Sequence, residues 1–400
     1  MLPVLAGVVL VSKGILGVAI AASIAFYCFC TYCTLGFQTE RPQPQGKPQR
    51  QPSAPLPVSI LIPVRGVDPG AMANWTSFCQ QHYHSHYEVL FGVKDPDDPA
   101  VPILQQLAAQ FPERVRLLVG LEPRGINHQI SNLIYLFEAA QYETIILADS
   151  DIRVGADYLS AVVAPLADPE VGLVTCPYVE KRPRYIGAAL HTLNRCTEFI
   201  PSLLIARLLD GGLRCALGPT IATRKSVMST FGGLNSVANR IGSDYHIGKM
   251  TAQSGYRVEL SGYVLDNDGG NESVGQVFAR ELRWARTIRI NRGAQYYGMA
   301  FTFGTVYALL LLLVSGLAPW AIALFFGVWA VRIMQAAIAI VRLNRPQLWR
   351  WMWLLPLRDG MSFVIWLQGS FGRRVYWRGR WLNIGTEGSL AEARGGLSEG

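Results

Sequence analysis

The chain has 400 residues, 36 Lys and Arg against 28 Asp and Glu, a formal net charge of +8, and 16% charged against 50% apolar residues. A chain this apolar buries enough surface to offset ordering entropy, which excludes disorder, and its glycines follow no three-residue period, which excludes collagen. Its seven cysteines, Cys28, Cys30, Cys33, Cys79, Cys176, Cys196 and Cys215, are an odd set partly inside one apolar stretch. No disulfide framework follows, and a reducing, cytosolic setting fits the polar part.

Taken in chain order, Gly14 to Phe37 contains no charged residue. That is enough for one helix across a hydrocarbon core of ~30 Å. Lys13 precedes it and no small-residue cleavage pattern follows, so residues 1–37 read as a retained anchor. Cys30 and Cys33 within it read as polarizable packing residues rather than a redox pair. Arg41, Lys47 and Arg50 come next, and basic flanks stay on the cytoplasmic side, which places the middle of the chain in the cytosol. Residues 38–57, rich in Pro and Gln, read as a linker.

Beyond the linker, Val58 to Pro63, Glu88 to Val93, Val115 to Val119 and Thr144 to Ala148 are short strand-like runs. Val101 to Phe111 and Gln129 to Ala140 between them carry apolar residues at helical spacing. Alternating strands and helices predict an α/β domain, residues 58–292, built on a mostly parallel sheet. Its ligands belong beyond the carboxyl ends of the strands. Gly293 to Val331 is a second uncharged run, long enough for two spans with a turn near Gly316 to Pro319, and Trp349 to Phe371 is a third apolar stretch. Arg358 and Asp359 lie inside that third stretch, where the pair must face a protein interior or the interface. Residues 293–372 are therefore C-terminal membrane helices. Residues 373–400 form a basic segment (Arg373, Arg374, Arg378, Arg380) followed from Ile384 by a Gly, Ser and Glu-rich tail expected to be flexible.

The strand ending at Ala148 leads into Asp149-Ser150-Asp151. Two carboxylates one residue apart at a strand end are hard oxygen ligands suited to Mg²⁺ or Mn²⁺ held jointly with substrate phosphates. Taken alone, Asp-x-Asp is more often a turn or a cap. A second acidic cluster, Asp95, Asp97 and Asp98, ends a neighbouring strand and would face the same crevice. Later come Gly242-Ser243-Asp244-Tyr245 and, before the membrane run, Arg280-Glu281-Leu282-Arg283-Trp284. Separately, Asp244 reads as a helix N-terminal carboxylate and Arg283 as a membrane-flanking anchor.

As an ordered set these motifs resemble the membrane-bound family 2 and family 21 glycosyltransferases. Arg65-Gly66-Val67-Asp68-Pro69, Asp97-Asp98-Pro99-Ala100, Gly125-Ile126-Asn127 with Asn132-Leu133, Asp149 to Val154 and Arg280 to Trp284 are similar to the ceramide glucosyltransferase family. Phe91-Gly92-Val93 and Gly172 to Cys176 are shared with bacterial relatives that glycosylate hopanoids. The resemblance implies a glycosyltransferase A-type domain, a nucleotide-sugar donor and a divalent metal. It implies that Asp98 contacts the uridine and ribose, that Asp149 and Asp151 orient the donor and hold the metal, and that Asp244 is the general base. Arg280 opens the signature, in the donor-binding set, and Arg283 and Trp284 close it as catalytic residues. Gln129 stands where the family often has lysine, and Ser243 where it often has an acidic residue.

The expected reaction is inverting transfer of a hexose from UDP-glucose to a lipid such as ceramide, by a multi-pass membrane enzyme with its catalytic domain in the cytoplasm. Transfer of N-acetylglucosamine to a hopanoid is the nearest alternative. A processive polysaccharide synthase shares the motifs but needs more spans, and a non-catalytic transporter or scaffold would be expected to lose the carboxylates. His82, His84 and His86 read as a solvated loop rather than a metal site. The Trp- and Arg-rich segment from Trp349 to Trp381 reads as facing a bilayer with anionic head groups, with no nucleic acid as partner.

Overall fold

A computed structural model describes residues 2–39, 56–267 and 272–392. Most of the expected linker, and residues 393–400 of the tail, lie outside the described residues. The chain forms two compact units, each discontinuous in sequence. A helical unit takes Met1–Gln38, Arg182–Ile205 and Asn271–Gly379, and a sheet unit takes Thr39–Lys181, Ala206–Gly270 and Arg380–Gly400.

The sheet unit contains strands β1 (Val58–Val64), β2 (Tyr87–Val93), β3 (Val115–Val119), β4 (Thr144–Ala148), β5 (Ile152–Arg153), β6 (Val171–Thr175), β7 (Thr220–Arg224), β8 (Arg257–Leu260) and β9 (Asp266–Asn267). Seven of them form one sheet in the order β3-β2-β1-β4-β7-β6-β8, and β5 and β9 form a small ribbon. Strands β1 to β4 are parallel, β7 runs antiparallel to both β4 and β6, and β6 is parallel to β8. Covered on both faces, β1, β2 and β4 can be apolar at nearly every position, which is why they are legible as unbroken runs rather than alternations. Trp75 and Phe78 of the helix Ala71–Cys79, and Leu104 and Leu107 of the helix Ala100–Gln110, join Ile60, Phe91 and Ile146 in one core.

Two register facts position the site. Val64 lies opposite Val93, so β1 and β2 end level. Ala148, the last residue of β4, lies opposite Thr220, the first of β7. The loops after β1, β2 and β4 and the loop before β7 therefore leave the sheet at one edge. Strand order reverses between β1 and β4, and this is the switch point at which open α/β sheets bind ligands.

In the helical unit, two helices among the described residues are long and apolar enough to cross a membrane, Gly7–Gly36 and Pro319–Arg342. The run expected to supply two spans supplies one such helix and a shorter piece. Residues Gly293–Thr302 form a 3-10 helix and Gly304–Val314 an 11-residue helix, about 16 Å long. Only jointly with the helix before it, across a 55° bend, does this piece reach spanning length. The bend has a local cause. A Cβ on Gly304 would meet Ser23 and Tyr27 at 2.8 and 3.0 Å. The Tyr27 hydroxyl donates to Thr302 O at 2.8 Å and accepts from Gly304 N at 3.0 Å, satisfying the backbone groups that the break frees.

The third apolar stretch forms a 3-10 helix, Pro346–Leu354, and a 15-residue helix, Leu355–Gly369. Its charged pair faces the interior: Arg358 and Asp359 are 1% and 4% exposed. Arg332 pairs with Asp359 at 2.9 Å and with Glu198 at 3.1 Å. Thr305 donates to Asp359 at 2.8 Å, and Arg358 pairs with Glu281 at 2.9 Å.

Candidate active site

At the switch-point edge, Asp149-Ser150-Asp151 follows β4. Trp75, buried in the core, donates its indole N–H to Ser150 O at 3.2 Å and so fixes the turn between the two carboxylates. Asn127 caps the helix His128–Ala139 by accepting from Ile130 N. From the first turn of that helix, Gln129 donates through Nε2 to Asp149 Oδ1 at 2.8 Å. Gln129 thus orients Asp149 through an uncharged donor.

Asp98 lies past β2, at the start of the helix Ala100–Gln110. Its Oδ1 accepts from Ala100 N at 2.9 Å, and both oxygens accept from Gly66 N at 3.0 and 2.9 Å. Gly66 has φ +70, a backbone state that glycine adopts without strain. One carboxylate therefore joins the loop after β1 to the loop after β2. Asp95 and Asp97 close the local turn, with Asp97 N donating to Asp95 Oδ1.

Asp244 sits in the first turn of the helix Ser243–Gln253, where the helix dipole favours a carboxylate. The loop before β7 comes to meet it. Gly218 N donates to Asp244 Oδ2 at 3.0 Å, and a Cβ on Gly218 would lie 3.4 Å from Asp244 Oδ2 and 3.7 Å from Asp149 Oδ2. The residues expected to be the metal ligand and the base thus approach one glycine. Two other residues enforce this. Thr175, at the end of β6 and fully buried, accepts from Leu217 N at 2.9 Å, and its hydroxyl hydrogen faces Leu217 O at 3.1 Å and Thr220 O at 2.8 Å. Gly248, one turn beyond Asp244, packs so closely that a Cβ would fall 2.2 Å from Ala216 N.

Gly218 and Gly248 escape a motif reading, and Thr175, although inside the Gly172 to Cys176 motif, shows no role there, because each acts through contacts with residues far along the chain.

A divalent cation was expected on Asp149 and Asp151. Among the described residues no group of three His, Cys, Asp or Glu side chains is arranged to hold a metal ion alone. Two carboxylates at the switch point match the hard donor set of Mg²⁺ or Mn²⁺ completed by substrate phosphates, so the residues fit that kind of site. His82, His84 and His86 lie in the loop before β2, with all three rings exposed.

The signature residues belong to the helical unit, on the helix Val274–Arg292, which starts with a Ser273–Gln276 capping box. Trp284 is surrounded by cations: the Arg195, Arg280 and Arg283 guanidiniums lie 4.4, 5.3 and 6.0 Å from its ring centroid. The His191 ring lies 5.6 Å away. Arg280 also pairs with Glu272, and Arg283 lies over Trp377 at 5.8 Å. Glu281, inside the signature, contacts His191 Nδ1 at 3.1 Å. Burial, with Arg280 and Arg195 nearby, pushes the His191 imidazole down to about 3 despite the Glu281 carboxylate. It is neutral at pH 7.

Comparison with known proteins agrees with this architecture. The mannosyltransferase PcManGT of Pyrobaculum calidifontis superposes with a TM-score of 0.54 at 17% identity, covering 90% of this chain and 99% of that one, a likeness of fold. Ceramide glucosyltransferase 3 of Caenorhabditis elegans is 28% identical over 232 residues, 57% of this chain and 50% of the relative. An N-acetylglucosaminyltransferase of Sinorhizobium fredii is 22% identical over 369 residues, 82% of this chain and 84% of the relative. The chain spans about half the length of the Caenorhabditis ceramide glucosyltransferases it matches. The family model for glycosyl transferase family 21 matches residues 15–390, from the first membrane helix through the carboxylate loops and the signature to the C-terminal strands, and the chain belongs to that family.

Proposed function

We propose that this protein transfers a hexose, glucose in the first instance, from a UDP-sugar to the hydroxyl of a membrane lipid of the ceramide type, inverting the anomeric centre. The observation that carries this reading is the approach of Asp149 and Asp244 to Gly218 at the switch-point edge. A donor-side carboxylate and a second carboxylate acting as base there can serve opposite faces of one sugar. Asp244 would accept the proton of the acceptor hydroxyl as it attacks, a contribution of ~10²–10⁴-fold. Asp149, oriented by Gln129, and Asp151 would hold a divalent cation, which supplies charge neutralisation on the donor diphosphate when bound. Asp98 keeps the loops after β1 and β2 together, and its remaining acceptor capacity suits a ribose hydroxyl. On the strength of the family signature, Arg280, Arg283 and Trp284 are assigned to stabilising the leaving diphosphate, where a planar guanidinium is the fitting donor.

A lipid acceptor is supported by the spanning helices carried in the same chain. The basic residues after the first helix support a cytoplasmic sheet unit. The relative named N-acetylglucosaminyltransferase, matched over most of both chains, favours a second reading in which the donor is UDP-N-acetylglucosamine.

The test is transfer of labelled sugar by purified protein from UDP-glucose or UDP-N-acetylglucosamine, each offered with ceramide, diacylglycerol or a polyhydroxylated hopanoid and Mg²⁺ or Mn²⁺. Glucose on ceramide, with a β linkage and loss of at least about 10²-fold in Asp244→Asn, is the expected outcome. Labelled hopanoid or N-acetylglucosaminyl product would move the substrates to the second reading. No transfer and no UDP release by intact protein would reject the enzyme.

A further inference from the structure

The last described stretch of the sheet unit is a hairpin, Arg380–Ile384 paired antiparallel with Leu390–Glu392. Its composition suggests a loose tail, yet Leu382, Ile384 and Leu390 are buried. It binds two loops. The Arg380 guanidinium donates through Nη2 to Ile126 O at 2.8 Å. Leu390 N donates to Asn239 O at 2.8 Å, Ile241 N donates to Gly388 O at 2.9 Å, and Arg240 Nη1 donates to Glu387 O at 3.2 Å.

Those two loops are also joined to each other. Ile126 N donates to Asn239 Oδ1 at 2.9 Å, Asn127 N to Ala238 O at 3.0 Å and Asn127 Nδ2 to Arg240 O at 3.0 Å. A Cβ on Gly125 would fall 2.5 Å from Ala238 O, so the backbones touch. Each loop launches a helix whose first turn carries a site residue. Asn127 caps the helix bearing Gln129, the hydrogen-bond donor to Asp149, and Ile241-Gly242 leads into the helix bearing Asp244.

We infer that this C-terminal hairpin is a positioning element of the transfer reaction, with Arg380 as its positioning residue, fixing the starts of both helices and hence the spacing of Asp149 from Asp244. The inference rests on the reaction proposed above. The hairpin's contacts described above are with the two loops, so its effect is on alignment: donor use and turnover depend on it, and the acceptor KM does not. Misplacement of reacting groups by about 1 Å costs on the order of 10²-fold in rate.

The experiment compares full-length wild type, Arg380→Ala, Arg380→Gln and Arg380→Lys, with Asp244→Asn as the inactive control. It measures kcat, both KM values and amide hydrogen exchange over residues 125–127 and 238–244. Expected are a fall of at least about tenfold in kcat over donor KM for Arg380→Ala, an acceptor KM within twofold, recovery by Arg380→Lys to within about threefold, and faster exchange in both loops. Arg380→Gln, which keeps a hydrogen-bond donor but no charge, replaces the alanine variant if that protein does not fold. Unchanged exchange, or kcat over donor KM within twofold of wild type in Arg380→Ala, overturns the inference. Wild type that transfers no sugar would count against the proposed function, while the exchange measurement would still decide whether the hairpin holds the two helix starts.

Discussion

Gly218 faces two carboxylates, and any side chain there must share that space. A single methyl would make ordinary contact with Asp244 and Asp149, at 3.4 and 3.7 Å, whereas a branched side chain would push into the interval between the two carboxylates, where the proposed reaction places the sugar. Gly218→Val is therefore expected to lower kcat/KM at least about tenfold while the melting temperature stays within a few degrees. Kinetics and thermal unfolding on the same preparation check it, and a proportionate loss of stability would contradict it. Gly248 predicts the opposite pattern. Its Cβ would fall 2.2 Å from Ala216 N and 2.3 Å from Cys215 C, backbone atoms that cannot rotate aside. Gly248→Ala is expected to cost about 1–3 kcal/mol, typical of overpacking, and to pull Asp244 from Gly218. A lowered melting temperature in detergent together with lost transfer is the outcome to look for.

Strands β1 to β4 were legible because a buried parallel strand is apolar along its whole length: the runs expected at Val58 to Pro63 and Glu88 to Val93 differ from β1 and β2 by one residue at one end. The helices expected at Val101 to Phe111 and Gln129 to Ala140 each lie one residue from those observed. Strand β7 was not legible. It is antiparallel between two strands of the opposite direction, and its pairing with Ala148 is set by the turn before it, not by its own five residues. That turn depends on Thr175. Thr175→Val preserves shape but strands Leu217 N in the core, at an expected cost of about 1–3 kcal/mol. Activity should fall further than the stability loss accounts for, since the same turn presents Gly218. Thermal unfolding paired with kcat measurement tests this, and Thr175→Ser, which keeps the hydroxyl, should retain most of the rate. The carboxylates themselves were legible as motifs, whereas the partners that aim them were not. Gln129 lies 20 residues from Asp149 and Gly218 lies 26 from Asp244, separations at which local pattern is silent.

At the scale of the molecule, charge is buried where the sequence is most apolar. Arg332 pairs with Asp359 and Glu198, and removing one partner of a buried set leaves an uncompensated ion. Arg332→Met is expected to destabilise the helical unit by about 3–5 kcal/mol, and the added Asp359→Leu to recover part of it, read as melting temperatures in one detergent. His191 adds a pH dependence of definite sign. The unfolded imidazole takes up a proton near 6.5 and the folded one only near 3, so the unfolded state binds more protons between those values. Stability is therefore lost as pH falls through that window, by up to about 2 kcal/mol at pH 5, and His191→Gln should flatten the trend. Unfolding scans at pH 7.5 and pH 5 decide the point. The hairpin that closes the sheet unit begins at Arg380, while most of that unit lies before residue 268. During synthesis its first part leaves the ribosome well before the last. The helices of residues 274–369 must be made before the loops at Ile126 and Asn239 meet their final partner. A nascent chain would thus lack the hairpin's contacts at these two loops until the helices of residues 274–369 have been made, so the starts of both helices reach their final order only after the helical unit has been synthesised.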